Sequence, residues 1–249
     1  MPVTSARRGW PGKNGQKTNS KSHLKVIEVF VSRQGEGLWT GTHSTFVRFG
    51  GCNLRCGFCD TRYASWECEK GEDLSPEEIA GLAILYGLPH VVLTGGEPML
   101  DAQTVPLTRL LAERNFDVTV ETNGTFDRQV SCALMSISPK LSNSSPADPE
   151  KKQWHDLNRF RPDVVRNLVD RYFCQLKFVV DTPADLEEID RYLSELGPFD
   201  LRRVFLMPQA KNVEQMRRKE EWLRHCCQAR GYTYSPRMQL EWYGGVRGK

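Results

Sequence analysis

Apolar residues recur along this chain with two spacings that take turns: every second position over short runs, every third or fourth over longer ones. Residues 26–31 (Val-Ile-Glu-Val-Phe-Val) alternate as a half-buried strand does, and Arg33-Gln34-Gly35-Glu36-Gly37 breaks the run. Residues 44–49 carry the next strand pattern. Ser75-Pro76-Glu77-Glu78 is a capping box with proline at the first helical position, which predicts a helix to about Tyr86. Strands over 90–93, 116–120 and 133–138 follow, with a helix over 105–114 between the first two and Glu121-Thr122-Asn123-Gly124 closing the second. A polar stretch from Pro139 to about Asn158 reads as an excursion and not as core. Beyond it the pattern predicts a helix over 162–171, a strand over 173–180 and a helix opened by Thr182-Pro183. A strand over 203–207 and a long helix over 212–230, stopped by Gly231, complete the reading.

Strands alternating with helices argue a parallel sheet with crossover helices. The strands are too few for a closed eight-fold barrel, so the expected fold is α/β, an incomplete (β/α) barrel of about six parallel strands. In such a fold the functional groups gather at the C-terminal strand ends. A length of 249 residues suits one domain, placed over 25–249, after a tail over 1–24. Six basic residues and no acid lie within the first 25 positions, leaving 28 basic against 31 acidic elsewhere. The tail is expected to be disordered, and the body lacks the basic excess that grips nucleic acid, so no direct nucleic-acid partner is expected. The sequence contains no apolar run long enough for a membrane span and opens without the apolar stretch of a secretory signal. A reducing cytoplasm is therefore expected, with Cys132, Cys174, Cys226 and Cys227 as ordinary thiols.

Three of those cysteines differ from the rest. Cys52, Cys56 and Cys59 follow the 44–49 strand with the spacing C-x3-C-x2-C. Iron–sulfur cubanes normally take four thiolates, so a cubane on three leaves one iron open to a small molecule. The alternative is a structural zinc site closed by Cys68, although zinc sites usually come as two closely spaced pairs. Thr94-Gly95-Gly96-Glu97-Pro98 follows an apolar strand, where glycine lets a backbone approach a ligand. Together the cysteine triple and this segment resemble the radical S-adenosylmethionine (SAM) superfamily, in which the methionyl group of SAM occupies the open iron.

The resemblance narrows further. Gln34–Gly37, Phe46-Val47-Arg48-Phe49, Cys52–Thr61, the Glu121–Gly124 turn, Ser138-Pro139-Lys140 and the closing Arg247-Gly248 closely resemble 7-carboxy-7-deazaguanine synthases. That family converts 6-carboxy-tetrahydropterin to 7-carboxy-7-deazaguanine with loss of ammonia, on the route to 7-deazapurines such as queuosine. The resemblance implies a [4Fe–4S] cluster on Cys52, Cys56 and Cys59, and SAM positioned by Gly96, Ser138, Pro139, Lys140 and, more distantly, Gln209. It implies substrate contacts from Arg33, Gln34, Gly35, Arg48 and Thr94, and Mg2+ at Thr61, while no protein residue is expected to act as a catalytic acid or base. A 5′-deoxyadenosyl radical would take hydrogen from carbon 6 of the pterin and later return it. An electron donor of the flavodoxin or ferredoxin type and a homodimer are also implied.

Each residue has a plainer reading. Arg48 could be an edge-strand arginine, Thr61 a loop cap, Gln34–Gly37 a hairpin turn, and the histidines structural. Two other classes stay open: a radical SAM activase that makes a glycyl radical on a protein, and a zinc module that touches RNA through the basic tail.

Overall fold

The computed structural model describes residues 22–66 and 68–248. The tail expected over 1–24 lies outside the described residues except for its last three, and Leu24 already opens a strand, with its side chain buried in the core.

The chain runs β1 (Leu24–Arg33), β2 (His43–Phe49), α1 (Arg62–Ser65), β3 (Glu72–Leu74), α2 (Pro76–Tyr86), β4 (His90–Gly95), α3 (Thr104–Glu113), β5 (Asp117–Thr122) and β6 (Leu134–Ile137). It continues through α4 (Pro149–Arg159), α5 (Pro162–Arg171), β7 (Cys174–Val180), α6 (Asp185–Leu196), β8 (Val204–Pro208), α7 (Val213–Arg230), β9 (Thr233–Tyr234) and α8 (Met238–Tyr243). One sheet has the order β3-β1-β2-β4-β5-β6-β7-β8-β9. Every pairing from β2 through β9 is parallel, while β1 is antiparallel to β2 and β3 to β1. The two ends of the sheet do not meet, so this is an incomplete barrel built on six longer parallel strands, with β9 a two-residue addition.

The local signals explain the helix limits. Ser75 Oγ accepts the Glu78 N–H while Glu78 returns a carboxylate to the Ser75 N–H, so two free donors at the N-terminus of α2 are satisfied. Asn212 caps α7 by accepting the Gln215 N–H on its side-chain oxygen, and Gly231 ends the helix in a left-handed turn.

Period-two alternation separates the two faces of the parallel strands. Val47, Phe49, Val91, Leu93, Val118, Val120, Met135, Ile137, Leu176 and Leu206 all point into one core beneath the helices. The alternate positions carry the polar residues Arg48, Thr94, Glu121, Ser136, Gln175 and Lys177, beside the apolar Phe46, Val92, Phe205 and Met207. Buried polar groups persist only when hydrogen-bonded, and these are. Gln175 Nε2 donates to Ser136 Oγ at 2.8 Å, and Gln175 Oε1 accepts the Leu38 N–H at 2.8 Å. Lower on the same face, His90 bridges Ser44 and Thr119 through its two ring nitrogens, and burial lowers its pKa to about 4. A polar inner face is therefore sealed within an apolar outer shell.

The stretch from 139 to 158 corrects the expectation of an excursion. It contains a 3-10 turn at Ser142–Ser144 and the helix α4, and both Ser144 and His155 are fully buried. Leu141 joins the core, but Ser144 and His155 are buried through hydrogen bonds to backbone, a contribution that hydropathy does not register.

Candidate active site

The loop Cys52–Cys59 leaves β2 at the C-terminal end of the parallel strands. Its entrance is set by direct backbone contact with the turn after β4: the Gly96 N–H donates to Phe49 O at 2.9 Å and the Glu97 N–H to Gly51 O at 2.8 Å. Gly95 has φ +119°, and a Cβ on Gly96 would lie 1.7 Å from Gly51 O. Only glycine allows two backbones so close. Glu97, 2% exposed, locks the turn by accepting from the Met99 N–H, the Thr122 hydroxyl and the Asn123 N–H. Its role is structural.

The turn after β5 supports the loop from a second side. Asn123 Nδ2 donates to Asn53 Oδ1 at 3.1 Å and lies 3.9 Å from Cys52 Sγ, and Asn53 Nδ2 donates to Thr125 Oγ1 at 2.9 Å. Burial raises the Cys52 thiol to about 12 and the Cys56 thiol to about 11; Glu97 adds to the first, and the Lys140 ammonium opposes the second. None of the three cysteines is in a disulfide. Buried thiols of this kind become thiolates when a cationic metal core offsets their charge. Among the described residues no three His, Cys, Asp or Glu side chains gather as around one metal ion. A cubane takes each thiolate at a separate iron. The donor set and the glycine-lined approach fit that group.

The residues expected at SAM lie at the ends of alternate strands, Gly96 after β4, Ser138 to Lys140 after β6 and Gln209 after β8. The Ser138 N–H donates to Thr122 O at 2.7 Å, and Lys140 Nζ folds back onto Ser138 Oγ at 2.6 Å. Pro139 is buried, and the Gln209 N–H donates to Val180 O at 2.8 Å. The hydroxyl of Thr61 donates to Gly95 O at 3.3 Å, which leaves its oxygen beside the loop.

On the inner face, two of the expected substrate residues, Gln34 and Thr94, meet at Glu121. Thr94 Oγ1 donates to Glu121 Oε2 at 2.9 Å and Gln34 Nε2 to Glu121 Oε1 at 3.1 Å. Lys177, 3% exposed, stands between Glu121 at 3.1 Å and Glu36 at 3.0 Å. Burial alone would raise the pKa of Glu36, but Lys177 and Arg237 hold it down to about 2. Arg237 also pairs with Asp60, tying the residue after Cys59 to the same network. Arg48 neighbours Thr94 in strand register, and its Nε donates to Glu28 Oε1 at 2.7 Å. Glu28 is held in turn by the Tyr63 hydroxyl at 2.8 Å and by Arg247 at 3.0 Å.

Arg33 is placed apart from that set. Its guanidinium stacks 4.1 Å from the Trp242 ring and its Nε donates to the Tyr243 hydroxyl. Gly35 lies against α8, its carbonyl accepting the Met238 N–H at 3.0 Å and its Cβ position filled by Gln239. The side chains of Glu121, Lys177, Glu28 and Arg237 join this network without being singled out in the sequence, and Glu36 is read there only as part of the Gln34–Gly37 turn. The alternation of polar and apolar residues in β5 and β7 carried the signal for the first two. A hollow bordered by Asn115, Phe116, Val130 and Tyr172 lies at the N-terminal end of β5, away from these groups.

A family model described as the radical SAM superfamily matches residues 46–135. The 7-carboxy-7-deazaguanine synthase of Rhodopirellula baltica is 43% identical, over 94% of this chain and 92% of its own length. Those of Halobacterium salinarum and Pyrobaculum aerophilum are 39% and 35% identical, over 96% and 91% of this chain and 96% and 97% of theirs. Among solved structures, QueE from Escherichia coli superposes with a TM-score of 0.66 at 25% identity, over 86% of this chain and 93% of that one. Streptococcus suis SuiB, at 14% identity and a TM-score of 0.52, shares the fold over 75% of this chain and 47% of its own.

Proposed function

This chain belongs to the 7-carboxy-7-deazaguanine synthases of the radical SAM superfamily, and from that membership we propose that it converts 6-carboxy-tetrahydropterin to 7-carboxy-7-deazaguanine with release of ammonia. The observation that carries the reading is the polar inner face of Arg48, Thr94, Glu121 and Lys177, joined by Gln34 and opening beside the three-cysteine loop.

When bound on Cys52, Cys56 and Cys59, the cubane supplies the electron that cleaves SAM reductively. The chain's own residues bind and orient. Gly96, Ser138, Pro139, Lys140 and Gln209 line strand ends where SAM would lie. The Glu121 carboxylate offers acceptors to the N–H-rich edge of the pterin, with Gln34 and Thr94 fixing its two oxygens. Gly35 would add backbone contact to the ring, and Arg33 would close that end of the pocket through Trp242. Arg48, oriented by Glu28, offers its remaining N–H groups to the substrate carboxylate. Burial of this face keeps water from the reacting centre. The body over 25–249 acts as the catalytic domain. A flavodoxin- or ferredoxin-type donor, a homodimer and a cytoplasmic setting complete the proposal. No helix of the described residues is long and apolar enough to cross a membrane.

Arg48→Met is expected to lower kcat/KM about 10- to 100-fold, mostly through KM, as loss of charge-assisted hydrogen bonds predicts. Arg48→Lys should recover only part of this, because lysine lacks the two-pronged geometry. Steady-state kinetics on the anaerobically reconstituted protein checks both.

Thr61 would give one oxygen to Mg2+, with the substrate and water supplying the rest. Thr61→Val is expected to weaken the response of turnover to added Mg2+ while leaving iron content unchanged. Full activity of that variant without metal dependence would remove the assignment.

A further inference from the structure

The chemistry assigned above makes no use of the segment from Leu141 to Arg159, yet that segment holds the outer side of the cysteine loop. The N–H of Arg55 donates to His155 Nδ1 at 3.1 Å. An accepting Nδ1 places the ring proton on Nε2, which donates to Ser144 Oγ at 2.9 Å; the Ser144 hydroxyl donates onward to Leu141 O at 2.5 Å. His155 and Ser144 are both 0% exposed, so these bonds face no competition from water. Next along α4, Trp154 Nε1 donates to Asn53 O at 2.7 Å, although the indole is 56% exposed. In the second span of the loop, the Gly57 N–H donates to Ser144 O at 2.8 Å, and a Cβ on Gly57 would lie 3.1 Å from Ser145 O.

Backbone groups of Asn53, next to Cys52, and of Arg55 and Gly57, which flank Cys56, therefore bind to one short segment. Two of the three are N–H donors. An N–H turned toward a cluster sulfur stabilises the extra electron of the reduced cluster and raises its potential. His155 and Ser144 O hold these two N–H groups in bonds of their own.

We propose that the turn at Ser142–Ser144 and helix α4 form a clamp on the cluster loop, in which His155 and Trp154 are positioning residues that fix the loop and withhold the Arg55 and Gly57 N–H groups from the cluster. The proposal rests on the assignment of a cubane to Cys52, Cys56 and Cys59. It assigns a role to two side chains that touch neither metal nor substrate.

The test uses the full chain after anaerobic reconstitution with iron and sulfide, and reads two quantities: the rate of cluster loss to an iron chelator and the cluster's reduction midpoint followed by EPR. His155→Leu is expected to lose its cluster about tenfold faster, as an unpartnered loop N–H predicts, with a midpoint shifted positive. His155→Asn, whose side-chain oxygen can take the place of Nδ1, is expected to restore both. Should His155→Leu not fold, Trp154→Phe carries the test, since it removes one N–H at a half-exposed position; about threefold faster loss is expected there. Loss at the wild-type rate in the variant tested would overturn the proposal. So would faster loss in His155→Leu without a shift in midpoint, or without rescue by asparagine, because that pattern marks a residue that only stabilises the fold. If the unaltered protein takes up no cubane, it is the cluster assignment that fails, and the proposal falls with it.

Discussion

Gly96→Ala is expected to lower kcat/KM by a hundredfold or more, the order of loss that follows displacement of a reacting group by about 1 Å. The added methyl would lie 1.7 Å from Gly51 O and 2.5 Å from Gly51 C, both backbone atoms. Relief requires either the cysteine loop or the Gly95–Glu97 turn to move. The second is held by Glu97, which is anchored to Met99, Thr122 and Asn123 at 2.7–2.9 Å. The loop therefore moves, carrying Cys52 away from the turn where SAM would bind. Iron content and SAM-dependent changes in the EPR spectrum should both fall with activity, while the melting temperature changes less. An alanine variant with wild-type turnover would show that the two backbones do not need this contact.

Lys177→Met is expected to destabilise the fold by roughly 3–5 kcal/mol, the usual cost of removing one partner from a buried ion pair. In a chain of this size that corresponds to a melting point lower by roughly 6–20 °C. The reason is local. Lys177 separates Glu36 at 3.0 Å from Glu121 at 3.1 Å, and without it two carboxylates share a buried space with Arg237 as the remaining cation. The effect should depend on pH. Glu36 has its folded pKa lowered from 4.5 to about 2, so its contribution to stability is full above its ordinary value and drains away as pH falls toward 2. The gap between the variant and the unaltered protein should therefore narrow below about pH 4.5. Melting curves across that range decide it, and a gap that stayed constant would place the stabilising charge elsewhere.

Much of this architecture could be read from residue patterns alone. The strands at 90–93 and 173–180, the capping box at Ser75–Glu78 and the glycine stop at Gly231 all depend on local physics, and the fold keeps them. The cysteine spacing and the glycine pair are also short-range signals. What escaped were features built from long-range polar contacts. Glu28 is 20 residues from Arg48 and 219 from Arg247, and nothing nearby in sequence suggests that it orients either. Residues 139–158 read as an excursion because their contribution is a hydrogen bond from a loop amide to His155 and not an apolar stripe. α8 is only six residues long, and its contacts with Arg33, Gly35 and Glu36 come from the far end of the chain. The reading of Arg33 as a pterin ligand rested on resemblance. In the fold its guanidinium lies 4.1 Å from the Trp242 ring.

The most direct measurement is a single assay under strict exclusion of oxygen. The protein is reconstituted with iron and sulfide, reduced, and supplied with SAM, Mg2+ and 6-carboxy-tetrahydropterin. The account predicts 7-carboxy-7-deazaguanine and ammonia in equal amounts, formed over many turnovers for each SAM consumed. A protein carrying a full complement of reduced cubane, cleaving SAM but leaving the pterin unchanged, would contradict it.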